Sequence, residues 1–309
     1  MSVVRSPLFY VGDKYKLMSQ LSTLFPKDID TFYDVFCGGG SVSMNTPANK
    51  YYLNDVDDNI IDIHKMLQKY SADINVFIND MYEIINYYNL SHSEYGINKE
   101  IENLKKEYKK TYFAKYNKEG YLKLREDYNN NQYDIKLLYI LLVYGFNRMI
   151  RYNKNGNFNI PVGNVDWNKN VTKAVQDYGD WINNNNVNFS SYDFIEFVQQ
   201  GEYKKGDFLY FDPPYLITFS DYNKLWTVED EKRLYCFLDK LDKEGIYWGL
   251  SNMTQHKGKI NDVLLKWLKK YNSFNIKSNY ISRFDNTIKN DSKELYITNY
   301  NVSLNNNLH

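Results

Sequence analysis

Cysteine is nearly absent: Cys37 and Cys236 are the only two in 309 residues. They lie far apart, so no disulfide framework is expected and an intracellular setting is the plain reading. Histidine is as scarce. His64, His92, His256 and His309 are scattered, with none of the spacings that hold a metal ion, which argues against a metalloenzyme. Neither sign of charge is in excess, with 38 Lys+Arg against 38 Asp+Glu, so net charge points to no polyanionic partner. No apolar run approaches the roughly 20 residues of a membrane span, and no signal-peptide pattern opens the chain. A soluble, cytoplasmic protein is expected. Proline is sparse too, six in all, yet two of the six are adjacent.

Those two, Pro213 and Pro214, end the run Phe208-Leu209-Tyr210-Phe211-Asp212-Pro213-Pro214-Tyr215. The apolar part reads as a buried strand with a carboxylate at its carboxyl end. Proline cannot donate to a sheet ladder and fixes φ, so the strand stops after Asp212 and the backbone there is stiff. The carbonyls of Asp212 and Pro213 are left to point out of the sheet. A carboxylate, a carbonyl and the aromatic face of Tyr215 suit a flat ring with an exocyclic amino group. The alternative is a turn that merely ends a strand.

Residues 31–36 form a second strand by residue type, followed by Cys37-Gly38-Gly39-Gly40-Ser41. Three glycines let the backbone turn sharply and approach a ligand with no side chain between. A short helix follows, then a strand over 50–53 with Asn54-Asp55 at its tip, where an acid is placed to bind both hydroxyls of a ribose. The spacing is not Gly-x-Gly-x-x-Gly, and no Gly-Lys-Ser/Thr follows, which turns the reading away from NAD and from a P-loop.

From residue 57 to about 142 the pattern is helical. Apolar faces run through Ile60, Ile61, Ile63, His64 and Leu67, and through Ile74, Phe77, Ile78, Met81, Ile84 and Ile85. Residues 98–125 carry nine Lys/Arg and four Glu with interleaved aromatics, which suits phosphate contacts. Next, 145–163 is rich in Arg and Asn around the turn Asn155-Gly156, a hairpin signal; four basic residues and no acid lie between 135 and 165. Arg pairs with guanine and Asn with adenine, while Met149 and Pro161 suit a thymine methyl, so groove reading is expected of this hairpin. Strands are then expected over 187–190, 246–250, 274–281 and 294–300, a helix from the N-cap Thr227 to Lys243, and another over 260–271. A polar loop over 282–292 and an Asn-rich tail close the chain.

Taken together, Tyr10-Val-Gly-Asp-Lys14, Asp34-Val-Phe-Cys-Gly-Gly-Gly-Ser41, Asn54-Asp55, the 148–163 hairpin and Asp212-Pro-Pro-Tyr215 stand in the order of a known family. The chain resembles the Dam family of DNA adenine-N6 methyltransferases, the D12 class, and its phage-encoded members in particular. The resemblance implies an α/β fold: a Rossmann-like class I methyltransferase sheet of about seven strands with an inserted helical and β-hairpin DNA-recognition domain. The boundaries expected are 1–56 and 166–309 for the catalytic domain and 57–165 for the insert. By the same likeness Tyr10, Lys14, Asp55, Asp212 and the backbone from Phe36 through Gly38 to Gly40 would contact S-adenosyl-L-methionine. Asn147, Arg148, Met149, Arg151, Asn153, Asn159 and Pro161 would meet duplex DNA, with GATC as the target. Asp212, Pro213 and Tyr215 would serve catalysis on a flipped adenine, with Cys37 no nucleophile. The family also allows a restriction endonuclease as partner in the same system. An RNA adenine methyltransferase is the nearest alternative, against which the groove-suited hairpin stands. A nucleoside enzyme would not need the basic insert, and a DNA-binding protein that had lost catalysis would show a damaged Asp212 or glycine turn.

Overall fold

The strands β1 (Thr31–Asp34) and β4 (Phe208–Phe211) are buried at every position. Uninterrupted burial is the mark of strands covered on both faces, as in a parallel sheet. The computed structural model describes residues 3–218, 226–277 and 292–302. Within them β1 and β4 lie side by side and parallel, Asp34 opposite Tyr210. Beyond β1 come β2 (Lys50–Asn54) and then β3 (Asn186–Ser190), all parallel. Beyond β4 lies β5 (Tyr247–His256), parallel to it. A two-residue β6 (Lys259–Ile260) pairs with the far end of β5. The antiparallel strands β7 (Asn272–Ile276) and β8 (Ser292–Thr298) complete the order β3-β2-β1-β4-β5-β8-β7. This is the expected α/β sheet with an antiparallel edge. The strand order reverses between β1 and β4, so their carboxyl ends flank the crevice where ligands bind in such sheets.

The chain divides into two compact units. The first joins Lys14–Val56 to Asn186–His309 and holds the sheet. Its core includes Val35, Leu209, Phe211, Leu234, Leu238, Trp248 and Leu250, all fully buried. The helix Val228–Lys243 begins where expected, at a complete capping box of Thr227 and Asp230.

The second unit joins Ser2–Asp13 to Asp57–Asn185 and is mainly helical. Its central helix Ile135–Tyr144 is apolar all round and fully buried from Leu138 to Tyr144. The helices Asp58–Lys69, Ile74–Tyr87 and Ile135–Tyr144 start at side-chain caps from Asp57, Asp73 and Asp134. The boundary expected at 165 falls instead at 185, because helix Lys169–Asn183 turns Val171, Val175, Tyr178 and Ile182 into this unit's core. The N-terminal segment to Asp13, expected with the catalytic part, is also counted here.

Strand β5 runs six residues past the expected stop at Leu250, through a register shift between Met253 and Gln255. The helix expected over 260–271 is a single short α-turn region, Asp262–Trp267, extended by a 3-10 turn. The expected loop over 282–292, apart from Ser292, the last part of the strand expected over 274–281 and the Asn-rich tail lie outside the described residues.

Candidate active site and nucleic-acid interface

At the carboxyl end of β4 the side chain of Asp212 stands among three partners. Lys14 Nζ lies 2.6 Å from its Oδ2. The Tyr215 hydroxyl donates to its Oδ1 at 3.1 Å and also reaches Glu294 Oε1 at 2.8 Å. Lys14 stands 3.9 Å from that same Glu294 oxygen. All four side chains are largely buried, Asp212 being the most open at 16%. Burial pushes the Asp212 carboxyl above the usual range; Lys14 and Tyr215 hold it down, and Glu294 pushes it up. Each carboxylate oxygen accepts more than one hydrogen bond, so these contacts leave Asp212 acceptor capacity for an amine.

Tyr215 takes a different part from the open stacking platform expected of it. Its ring is 8% exposed and packs with Ile217 and Met253, with Lys14 Nζ 5.1 Å from the ring centre. A base that stacks on it needs the ring to leave this packing; as it stands, its hydroxyl meets Asp212 and Glu294. Pro213 is buried beside it.

Across the switch point, β1 leads into the glycine turn. Gly38 and Gly40 have φ of 47° and 77°, the left-handed region where a Cβ is strained. The Gly38 amide donates to Asp55 Oδ2 at 2.9 Å, and the Cys37 amide to the Asn54 carbonyl at 2.8 Å. The turn and the acid expected to share a cofactor are thus joined. Phe36 meets Phe194 and Trp226 edge to face or tilted, with ring centres 5.4 and 5.7 Å away. Cys37 is buried and its thiol is pushed well up, which suits no nucleophile.

Two residues here were given no role from the sequence. Asp34, at the end of β1, is 1% exposed; Ser43 Oγ donates to its Oδ2 at 2.7 Å, while Oδ1 has no hydrogen-bond partner among the described residues. An orphaned carboxylate oxygen beside a glycine turn suits a cationic group, such as the ammonium of an amino-acid moiety. Glu294 is the other. It shares one face of β8 with Tyr296 and Thr298, all at most 2% exposed. A charge in phase with a buried set was the available signal.

In the second unit, the stretch 145–163 forms the expected ribbon, held by bridges Gly145 to Val162 and Tyr152 to Phe158. Gly156, φ 77°, makes its tip. Arg151 and Asn159 come together on the surface, Arg151 Nε donating to Asn159 Oδ1 at 2.8 Å. Asn147 is exposed with φ 56°, Pro161 is exposed and Met149 is half-buried. Asn153 instead caps the turn, its Oδ1 accepting from the amides of Asn155 and Asn157. Arg148 lies 4.0 Å from the centre of the Phe9 ring, which Arg5 also covers at 4.5 Å. Tyr10 also belongs to this unit, its carbonyl accepting from the Asp13 amide. In the basic segment, Lys105 and Lys115 sit over Tyr112 and Tyr108, and Tyr121 is core, its hydroxyl donating to the Ile160 carbonyl.

A parallel sheet with an antiparallel edge, a glycine turn after its first strand and an acid after its second define a Rossmann-like fold that binds a nucleoside cofactor. The profile described as "D12 class N6 adenine-specific DNA methyltransferase" matches residues 10–282, and the chain belongs to that family. It is similar to the type II methyltransferase M.FokI of Planomicrobium okeanokoites, 34% identical over 307 residues, covering 97% of this chain and 43% of that protein. The modification methylase StsI of Streptococcus sanguinis is 31% identical, with 96% and 43% covered. The chain spans less than half the length of these relatives. Among solved structures, an rRNA methyltransferase from Streptomyces viridochromogenes covers 96% of this chain, and is itself covered to 92%, at 8% identity and a TM-score of 0.39.

The methyl donor of such enzymes is S-adenosyl-L-methionine, and the residues present fit it. The glycine turn presents backbone only, Asp55 is tied to that turn, and Asp34 offers an orphaned acceptor.

Proposed function

We propose that the chain methylates N6 of an adenine flipped out of duplex DNA. The observation that carries this reading is the buried Asp212 carboxylate at the switch point, followed by two prolines and gripped by Lys14 and Tyr215. S-adenosyl-L-methionine, when bound, supplies an electrophilic methyl group. Asp34, Asp55 and the backbone of 36–40 would hold it. Asp212 and the Pro213 carbonyl accept the two hydrogens of N6 and so turn the nitrogen lone pair toward the methyl group. Positive charge then develops on N6, and a carboxylate placed there in advance stabilises it. Rigid placement of the acceptors supplies much of the rate, since no covalent enzyme intermediate is needed.

The Arg151–Asn159 pair on the ribbon is suited to base edges in a major groove, which favours duplex DNA over RNA. GATC, implied by the resemblance alone, is the first target to try. The modification methylases among the relatives make a restriction endonuclease in the same system, within the cytoplasm, part of this reading. Purified chain with tritiated S-adenosyl-L-methionine and a mixed duplex should transfer label to adenine, and D212A should transfer none while still binding DNA. Undiminished transfer by D212A would refute the assignment.

A further inference from the structure

Methylating an amino nitrogen leaves it one proton too many. The new N–C bond uses the nitrogen lone pair, the donor's C–S pair stays on sulfur, and the surplus proton must go to a base. Asp212 is the carboxylate at hand, and how basic it is depends on what surrounds it. Lys14 Nζ, 2.6 Å away, favours its charged form. Tyr215 does the same through its hydroxyl at 3.1 Å. Both oppose the burial that raises the Asp212 carboxyl.

Glu294 alters that balance. It reaches the Tyr215 hydroxyl at 2.8 Å, closer than Asp212 does, and Lys14 at 3.9 Å. A tyrosine has one hydroxyl proton to give, so the two carboxylates compete for it. Both also draw on the single ammonium of Lys14. We propose that Glu294 is a positioning residue for the methyl-transfer site: it takes a share of the Tyr215 proton and the Lys14 charge, and so keeps Asp212 basic enough to receive the proton from N6. This rests on the function proposed above. Among the described residues Asp34 from β1 and Tyr210 from β4 also act on Asp212. Asp34, itself raised to about 7 by burial, adds negative charge only above that pH, and the Tyr210 hydroxyl is engaged with Ser251. Burial of Asp212, with Glu294 raising and Lys14 and Tyr215 lowering its carboxyl, agrees in sign.

The test follows the Asp212 carboxyl directly, by carbon-13 NMR of the full chain labelled at aspartate Cγ, the signal assigned by its loss in D212N. E294Q keeps an oxygen that accepts from Tyr215 but loses the charge, and should lower the Asp212 titration midpoint by about one pH unit. Y215F removes a donor and should raise it. E294D, which retains the charge, should leave the midpoint nearer its original place than E294Q does. Damage to the fold would not move two variants in opposite directions. In single-turnover methyl transfer to duplex DNA, the acid limb of the pH profile should move down in E294Q and up in Y215F. An Asp212 midpoint unmoved by E294Q, or moved the same way by both, overturns the inference. If the unaltered chain methylates no DNA, the functional reading fails instead, and the NMR result still decides what Glu294 does to Asp212.

Discussion

At the scale of single residues, two carboxylates at adjacent strand ends carry opposite assignments. Asp212 is partnered and is proposed to work on the substrate; Asp34 has one oxygen bonded to Ser43, and the other is proposed to meet a cation. Burial is the main cause that raises Asp34 to about 7, the Ser43 hydroxyl opposes it, and Asp212 and Asp55 add to the rise. An unfolded chain loses that proton at about 3.9. The folded chain therefore holds a proton that the unfolded chain has given up, and the stability this brings is full below the unfolded value and lost as pH rises through about 7. D34N should raise the urea midpoint at pH 8, by up to a few kcal/mol of stability, and leave it nearly unchanged at pH 4. It should also weaken S-adenosyl-L-methionine binding. Equal midpoints for D34N and the parent at pH 8 would show that Asp34 bears no buried charge. Lys14 has the reverse sign toward Asp212: K14M removes the cation that lowers its carboxyl, so the acid limb of the pH–rate profile should move up.

At the scale of elements, the parts that read clearly in the sequence are those whose physics is local. Buried parallel strands announce themselves as short apolar runs, so β4 falls where Phe208 to Phe211 suggested and β1 takes the first four positions of the expected 31–36. Asn155-Gly156 demands a turn, and a turn is there. Thr227 and Asp230 cap their helix reciprocally; T227A should cost about 1 kcal/mol, measurable by urea unfolding. What stayed hidden depends on contacts between distant residues. Glu294 lies 79 positions from Tyr215 along the chain, and only pairing of β8 with β5 brings it to the site. Asp34 looks like any strand-end acid until the absence of a partner for Oδ1 is seen. Asn153 carries the residue type of a base reader, yet backbone amides two and four positions on claim its oxygen. On the ribbon, R151A should relax preference at one base pair by about 1–3 kcal/mol, read from binding to single-substitution duplexes. A loss equal on every sequence would make Arg151 a phosphate contact.

At the scale of the whole molecule, a sheet unit and a helical unit are each assembled from separated stretches of one chain. The first carries the acceptors and the glycine turn; the second carries the basic, aromatic and Asn-rich surfaces proposed to meet DNA. The basic character is local to these surfaces, since each unit by itself carries no net charge. The chain spans less than half of these relatives' length. The most direct measurement is sequencing of plasmid DNA for modified bases after expression in a methylation-deficient host, beside the same host expressing D212A. The account predicts N6-methyladenine at one defined sequence with the unaltered chain and none with D212A. Unmodified adenines throughout, or the same pattern from D212A, would contradict it.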